Sequence, residues 1–292
     1  MKRFLTYTCI LLSALVLGAV VADAVYTYSY HNGAHRSKIM WLRDFDHAPE
    51  LDFLVLGSSR TNYSIKPNII ADRTGQQGYN LGMNSCSIVE IRLLLAEFLK
   101  RGTVNTVFVQ VDDQYKQDYP DPIGEVAWMP FIREDAIYEH FNAFEGPYAT
   151  YKWVPFYRYQ KFGARLGFRE VASAMLGTGY DYANTKGYMP RYGMLNEEKP
   201  FIPDVPIETE NELYEELIAF CKTNSIEIHF FTAPYYKFKG DIGKLETFLP
   251  NYTNFSDSIP IRKLFSDQTH LNDDGAKKFT EIFIETYFSE SQ

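Results

Sequence analysis

Two short apolar runs constrain the fold of this chain more than any other feature. Residues 51–56 are followed at once by Gly57, and residues 106–111 by Asp112. Continuous apolar runs of this length are typical of parallel strands that are buried on both faces. They therefore predict a sheet that is covered by helices on either side.

Helical periodicity appears between and after these runs. Apolar residues recur at helical spacing in 88–101, 208–223 and 275–288, and a further strand is predicted at 226–232. Strands that alternate with helices indicate an α/β fold with a parallel sheet. The intervening segment, about 116–204, is rich in Tyr, Phe, Trp, Gly and Pro without such alternation, so we predict an aromatic-rich insertion there.

The N-terminus carries an apolar run that is long enough to cross a membrane. Lys2 and Arg3 precede apolar residues from Phe4 to about Tyr26, and a bilayer core needs about 20 such residues in a helix. The two cations favour a cytoplasmic N-terminus, with the rest of the chain exported. The chain is thus predicted to divide into an anchor or signal segment at 1–26, a stalk at 27–49 and an α/β domain at 50–292.

A cleaved signal peptide is the alternative to a retained anchor. Ala22, Asp23 and Ala24 have the small-x-small form of a cleavage site. The apolar run is longer than the roughly 7–15 residues of a signal h-region, which favours retention. Both possibilities place the body of the protein outside the cytoplasm, either anchored or, after cleavage, secreted or periplasmic.

Composition argues against several classes of function. The net charge of -8 and the lack of a basic stripe make nucleic acid an unexpected partner. The chain has three cysteines, and Cys86 and Cys221 show neither a disulfide framework nor the spacing of zinc ligands. We therefore expect no metal and no cofactor.

Two polar motifs carry the candidate chemistry. Gly57, Ser58 and Ser59 follow the first predicted strand, where a tight turn exposes a serine hydroxyl beside helix N-terminal N–H groups. Asp267 lies three residues before His270, just ahead of the last helix. A serine nucleophile needs a base, and the base needs a group that orients it. Alone, each motif is more typical of a turn or a helix cap, but together they favour a serine-dependent site.

In these two blocks the chain resembles the SGNH (GDSL-type) hydrolase family. The resemblance covers roughly 50–115 and 205–292, and the phrase DQTHLNDDGAKKF is its most specific part. It implies a flavodoxin-like three-layer α/β/α sandwich with a parallel sheet. It also implies that Ser59 is the nucleophile, that His270 takes its proton, and that Asp267 orients the imidazole.

The resemblance further implies an oxyanion hole, a set of donors that stabilises the tetrahedral intermediate. One expected donor is the backbone N–H of Ser59. A second is a backbone N–H in the block Asn-Leu-Gly-Met-Asn-Ser, where Ser85 stands at the position of the family's glycine and either Ser85 or Gly82 can be the donor.

The third block departs from the family pattern, because Asp112 replaces the usual Asn. An ionised carboxylate cannot donate a hydrogen bond. Either Asp112 is protonated, or Gln110, Asn84 or Asn80 supplies the donor, or only backbone donors are present. A missing donor costs on the order of 10²–10³ in rate, which favours a slow or acceptor-specific enzyme. Possible substrate contacts are Arg60, Asn84 and Gln110.

The chain is most similar in character to membrane-anchored SGNH proteins that modify polymers of the bacterial cell envelope. This resemblance implies a serine esterase or O-acyltransferase acting on an acylated exported glycan or a small acyl ester, with a membrane partner as a possible acyl donor. Two alternatives remain open. One is a catalytically inactive, carbohydrate-binding envelope protein of the same fold, which the missing Asn favours; the other is a structural envelope protein.

Overall fold

The structure is a computed structural model that describes residues 1–45, 49–196, 198–202 and 207–289. The predicted stalk and insertion each include residues outside these ranges, at 46–48 and at 197 and 203–204. The chain separates into two compact units. Unit 1 comprises Met1–Trp41 and Glu125–Tyr180, and unit 2 comprises Leu42–Gly124 and Asp181–Gln292.

The regular elements have the following bounds. The strands are β1 (Glu50–Leu56), β2 (Gly78–Asn80), β3 (Thr103–Gln110), β4 (Glu227–Thr232) and β5 (Tyr252–Asn254). The α-helices are α1 (Lys2–Asn32), α2 (Lys38–Arg43), α3 (Ser59–Asn62), α4 (Pro67–Thr74), α5 (Ile88–Leu99), α6 (Asp135–Asn142), α7 (Tyr148–Trp153), α8 (Tyr157–Lys161), α9 (Gly163–Leu166), α10 (Phe168–Met175), α11 (Tyr182–Thr185), α12 (Glu212–Thr223), α13 (Leu245–Phe248) and α14 (Asp273–Tyr287). Short 3₁₀ helices cover Asp113–Lys116, Gly124–Phe131 and Arg262–Leu264.

Unit 2 is built on a parallel sheet. Its five strands, counted over the described residues, lie in the order β2-β1-β3-β4-β5. The predicted α/β class with a parallel sheet is therefore confirmed. β2 lies on one side of β1, whereas β3, β4 and β5 follow on the other side. The loops that follow β1 and β3 therefore leave the sheet in different directions, which opens a crevice at the carboxyl ends of these strands.

Helices of unit 2 cover both faces of this sheet. On one face, Phe53, Phe108 and Phe231 pack against α4 and α14 through side chains such as Ile70 and Phe283. On the other face, α5 and α12 contact β3 and β4. Because both faces are buried toward the carboxyl ends of the central strands, those parts of the strands are mostly apolar. This layering is consistent with a three-layer α/β fold.

The first helix extends beyond the predicted anchor. α1 continues to Asn32, so part of the predicted stalk at 27–49 is helical, and α2 follows within it. Among the described residues, α1 is the one helix long and apolar enough to cross a membrane. Its N-terminal part exposes apolar side chains, whereas Asp23, Ser29 and Tyr30 in its C-terminal part are buried within unit 1.

The aromatic-rich segment is divided between the two units. Residues 125–180 form unit 1 together with α1, whereas 116–124 and 181–204 belong to unit 2, so these boundaries differ from the predicted insertion at 116–204. The helices α6 to α11 span only four to eight residues each. Such short helices give no sustained periodicity, which explains why the sequence shows no alternation of elements here.

Candidate active site

The turn after β1 presents Ser59 at the start of α3. Gly57 has φ +145°, and a Cβ at this position would lie 2.8 Å from the Cβ of Gln110, so the turn requires glycine. The Ser58 hydroxyl is already engaged, because its Oγ donates to Gln110 Oε1 at 2.8 Å and caps the Arg60 N–H at 3.3 Å. Ser59 is left as the serine of this turn whose hydroxyl meets the imidazole of His270.

Three predicted site residues form a hydrogen-bonded series. The Ser59 Oγ lies 2.7 Å from His270 Nε2, although the two residues are 211 positions apart in the chain. The other ring nitrogen, Nδ1, lies 2.9 Å from both carboxylate oxygens of Asp267. When Nδ1 donates to Asp267, Nε2 is free to accept the proton of the Ser59 hydroxyl.

The loop that carries His270 holds Asp267 as a carboxylate. Asp267 Oδ1 accepts hydrogen bonds from the N–H groups of Thr269 and His270, each at 2.9 Å, and Oδ2 lies 2.6 Å from Arg191 Nη2. Burial alone would raise the pKa of Asp267, but the hydrogen bond and charge of His270, together with Thr269 and Arg191, lower this pKa well below its usual value. Asp267 therefore keeps its charge at acidic pH values at which a free aspartate is protonated.

Two residues that support this series were not predicted. Tyr63 packs edge-on against the His270 ring, with ring centroids 5.7 Å apart. It lies four residues after Ser59, so helical spacing could have suggested it. Arg191 pairs with Asp267 and lies over the Tyr63 ring at 5.3 Å. Arg191 belongs to the aromatic-rich segment, where no motif marks it.

Arg191→Gln is expected to lower only slightly the ester turnover that the SGNH resemblance implies. The Arg191–Asp267 pair is about one-third exposed on both sides, and pairs of this kind contribute about 0.2–1 kcal/mol. That range corresponds to a loss of no more than about five-fold in rate. Steady-state kinetics of the two proteins at one pH would measure it. A loss of several orders of magnitude would mean that Arg191 contacts the substrate directly.

A crevice of about 260 Å³ opens beside Ser59. It is lined by polar and aromatic side chains from unit 2: Ser58, Ser59, Arg60, Ser85, Asp112, Asp113, Gln114, Phe201, Tyr235, Thr269 and His270. The predicted substrate contact Arg60 is among them, whereas Asn84 and Gln110 are not. Volume and lining suit a small polar group rather than a long hydrocarbon chain.

Arg60 is a buried cation in the wall of this crevice. Its side chain is 5% exposed, its Cζ lies 3.3 Å from the centre of the Tyr235 ring, and it donates to the carbonyls of Ala233, Pro234 and Thr269. Its Nη1 lies 3.6 Å from Asp112 Oδ2 but has no hydrogen-bond partner within the described chain. Because this nitrogen is buried, Arg60 contributes positive charge to the wall rather than a donor that is open to the crevice.

Asp113 adds a second carboxyl to the same wall. The Tyr235 hydroxyl donates to Asp113 Oδ1 at 2.6 Å. Burial raises the pKa of Asp113, and the adjacent Asp112 carboxylate raises it further, against the opposing effects of Tyr235 and Arg60. Neither Asp113 nor Tyr235 was predicted, because no sequence motif links two residues that are 122 positions apart.

Two of the predicted oxyanion-hole donors are already engaged. The N–H of Gly82 donates to Asn80 Oδ1 at 3.0 Å, so this predicted donor is occupied within the chain. The Asn80 amide in turn donates to the carbonyls of Thr61 and Ile65, each at 2.8 Å. Asn80 and Gly82 therefore fix the loop that follows β2 and are not available to an oxyanion.

Asp112 acts as an acceptor in this structure. Its carboxylate receives hydrogen bonds from Gln110 Nε2 and from the Gln114 N–H, each at 2.9 Å. With Arg60 nearby, it has the surroundings of an ion-pair partner, which argues against Asp112 as an oxyanion donor. Gln110 is also engaged at both ends, because its Oε1 accepts from Ser58. Asn84 is exposed, and its Oδ1 accepts from Asn62.

Two predicted backbone donors remain available. Ser59 is the first residue of α3, and Ser85, which has φ +56°, lines the same crevice. Neither N–H donates a hydrogen bond within the described residues. The arrangement thus combines a hydroxyl, an imidazole that can deprotonate it, and two backbone donors.

Comparison with protein-family models and with curated proteins gives no match to this chain. In the described part of the chain, no group of His, Cys, Asp or Glu side chains is arranged to hold a metal ion. All three cysteines are free, and Cys86 and Cys221 are buried. Function is therefore inferred from the geometry around Ser59.

Proposed function

We propose that this chain is a serine-dependent acyl-ester hydrolase or O-acyltransferase of the SGNH type. The observation that carries the proposal is the contact between the Ser59 hydroxyl and His270 Nε2, with Asp267 on the opposite ring nitrogen. The position of Ser59 at the carboxyl end of β1, beside the reversal of strand order, supports it, because ligands of open α/β sheets bind at such points.

In the proposed reaction, Ser59 Oγ attacks an acyl carbonyl while His270 Nε2 takes the hydroxyl proton. The negative charge of Asp267 stabilises the imidazolium that forms. The N–H groups of Ser59 and Ser85 stabilise the oxyanion of the tetrahedral intermediate. His270 then returns the proton to the departing alkoxide, which leaves an acyl group on Ser59. Water or a sugar hydroxyl, deprotonated by His270, releases that acyl group.

The crevice favours a short acyl group on a hydroxyl-rich carrier. Its walls combine the polar groups of Arg60, Asp113 and Tyr235 with the aromatic face of Phe201. Sugars are recognised by this combination of polar groups and rings. An acylated exported glycan is therefore the proposed substrate class, and a membrane protein is the proposed source of acyl groups if the reaction is a transfer.

We also propose that α1 is retained as a membrane anchor in the cell envelope, with both units outside the cytoplasm. Asp23 lies inside the predicted cleavage motif, yet its carboxylate is buried and binds Arg158 at 3.0 Å. Cleavage after Ala24 would remove this partner and leave Arg158, which is fully buried, without its counter-charge. A protein that matures by such cleavage would lose part of its own core.

Hydrolysis of a chromogenic acetyl ester by the full-length protein in detergent tests the proposed chemistry. We expect turnover that is blocked by a fluorophosphonate, and a single phosphonylated peptide that contains Ser59. Heat-denatured protein provides the control for spontaneous labelling. Binding of glycan without turnover or labelling would contradict the proposal and favour the inactive, carbohydrate-binding alternative.

The same preparation separates hydrolysis from transfer. Hydrolase and transferase use the same residues, so the fate of the acyl group has to be measured directly. When an acylated donor is mixed with an unacylated glycan, a transferase produces acyl-glycan faster than free acid. Release of free acid alone, at a rate that added glycan does not change, identifies a hydrolase.

A further inference from the structure

Charge is divided unequally between the two units. The chain has 29 Lys and Arg and 37 Asp and Glu. Unit 1 contains 10 of the basic and 7 of the acidic residues, and unit 2 contains the other 19 basic and 30 acidic residues. Unit 1 is therefore cationic although the whole chain has a net charge of -8. Residues 152–169 contain five Lys and Arg and no Asp or Glu, and of these Lys152 and Arg158 are buried and paired with Asp135 and Asp23.

The same segment exposes large apolar side chains. Trp153 is 69% exposed and Phe168 is 77% exposed, with Val154 and Tyr157 also exposed between them. The cations Lys161 and Arg165 are exposed as well. Exposed Trp and Phe interleaved with Lys and Arg are characteristic of protein surfaces that lie in the headgroup region of a membrane. We call residues 152–169 the basic aromatic segment.

Contacts with α1 fix the position of the N-terminal half of this segment. The N–H of Phe156 donates to Asp23 Oδ2 at 2.7 Å, and the Tyr26 and Phe156 rings are 5.0 Å apart. Trp153 lies only three residues before Phe156, so it is within about 10 Å of this contact. Asp23 and Tyr26 lie just after the exposed apolar residues Phe4 to Val21 of α1.

The C-terminal half of the segment lies at a similar level along α1. Ser29 Oγ donates to the Val171 carbonyl at 3.2 Å, and the Ala34 N–H donates to the Ala174 carbonyl at 2.9 Å. Residue numbers increase in the same direction along both helices, so α10 runs parallel to this part of α1. Phe168, the first residue of α10, is therefore near the level of Tyr26, whereas Leu176 lies about 12 Å farther along.

The length of α1 places that level at a membrane surface. The exposed apolar residues that precede Asp23, from Phe4 to Val21, span about 26 Å as a helix, close to the roughly 30 Å of a bilayer core. Val25 and Tyr28, farther along α1, are exposed as well. If α1 crosses a bilayer, Asp23 lies at its boundary, and the basic aromatic segment lies at the same boundary. Burial of Trp153 and Phe168 then removes their apolar area from water.

We propose that the basic aromatic segment is a membrane-docking surface that inserts Trp153, Tyr157 and Phe168 among the lipids around α1. Lys161 and Arg165 bind the phosphates of anionic phospholipids, each cation contributing about 1 kcal/mol near such a surface. Arg169 is less available, because it pairs with Glu170. Unit 1 is thus held against the bilayer by contacts beyond its helix. This docking is independent of the chemistry proposed at Ser59.

Tryptophan fluorescence of the full-length protein in lipid vesicles tests the docking surface. The other two tryptophans, Trp41 and Trp128, are buried within unit 1. In vesicles of phosphatidylcholine and phosphatidylglycerol, brominated lipid chains are expected to quench much of the Trp153 emission, while aqueous iodide leaves it nearly unchanged. Trp153→Phe is expected to remove the emission that brominated lipid quenches. The remaining emission comes from Trp41 and Trp128, and its wavelength shows whether unit 1 is folded.

Two matched variants in the Trp153→Phe background measure depth along α10. Phe168→Trp is expected to be quenched by brominated lipid, whereas Leu176→Trp, at a site that is 81% exposed, is expected to be quenched by iodide instead. Brominated phosphatidylglycerol should quench more strongly than brominated phosphatidylcholine at the same mole fraction. If iodide quenches the emission of Trp153 and of Phe168→Trp, and brominated lipid does not, the proposal that this segment docks on the membrane is wrong. Equal quenching by the two brominated lipids would contradict the proposed preference of the segment for anionic phospholipids.

Discussion

Ser59→Ala is expected to reduce ester turnover by as much as about 10⁶-fold, the size of loss that follows removal of a serine nucleophile from an intact catalytic unit. In the proposed reaction, the hydroxyl contributes both the attacking oxygen and the proton that His270 Nε2 accepts, and Ser59 Oγ and His270 Nε2 are already 2.7 Å apart. A residual rate about 10³–10⁴-fold above that of water is expected from the oxyanion donors and substrate binding. Progress curves at high protein concentration would measure both rates.

Ser58→Ala is the matched control for this loss. Ser58 adjoins Ser59, but its hydroxyl caps α3 and donates to Gln110. Loss of a helix cap costs about 1 kcal/mol of stability, so a small decrease in thermal midpoint is expected, with turnover far above that of Ser59→Ala. Equal losses in the two variants, or a larger loss at Ser58, would show that Ser59 is not the nucleophile.

Asp23→Ala is expected to destabilise unit 1 by about 3–5 kcal/mol, the cost of removing one partner of a buried ion pair. Arg158 is fully buried and binds Asp23 with both terminal nitrogens, and Arg133 and the Phe156 N–H reach the same carboxylate. Without Asp23 the guanidinium stays in the core without a counter-charge. Amide hydrogen exchange of α10 reports the opening of this unit and should accelerate by on the order of 10²–10⁴-fold.

Two further variants separate charge from packing. In Asp23→Leu/Arg158→Met both charges are replaced by apolar groups, which is often neutral or stabilising for a buried pair, so exchange should return toward that of the unmodified protein. Glu139→Ala, which removes an exposed carboxylate from α6 of the same unit, should leave exchange in α10 nearly unchanged. Rapid exchange in the double variant would indicate that shape rather than charge compensation holds α1 in place.

Much of the fold of unit 2 could be predicted because its central strands are buried on both faces. The buried parts of β1 and β3 are mostly apolar, β4 carries Ile228, Phe230 and Phe231, and the helices beside them repeat their apolar residues at helical spacing. β2 and β5 span three residues each, too few to show any period. The division into units could not be predicted either, because it depends on contacts between α1 and α10 across more than a hundred residues.

The part of the candidate site that could be predicted is the part formed by short sequence motifs. Ser59 follows a strand, and Asp267 and His270 lie three residues apart before a helix, so each motif can be recognised within a few positions. Which donors remain free depends on the folded loops instead. The engagement of the Gly82 N–H by the Asn80 side chain, and the Tyr235–Asp113 contact in the crevice wall, join groups in ways that no local pattern specifies.

The ion pair between Asp23 and Arg158 fixes α1 within unit 1, and this changes how the protein is expected to respond to bilayer thickness. A spanning helix normally adapts to a thicker or thinner membrane by changing its tilt. In the proposed anchored protein, α1 is both the spanning helix and part of a folded core, so its angle cannot change without turning all of unit 1. Lipids of different chain length should therefore reorient the unit as a whole, or deform the bilayer around it, instead of simply tilting a flexible tether.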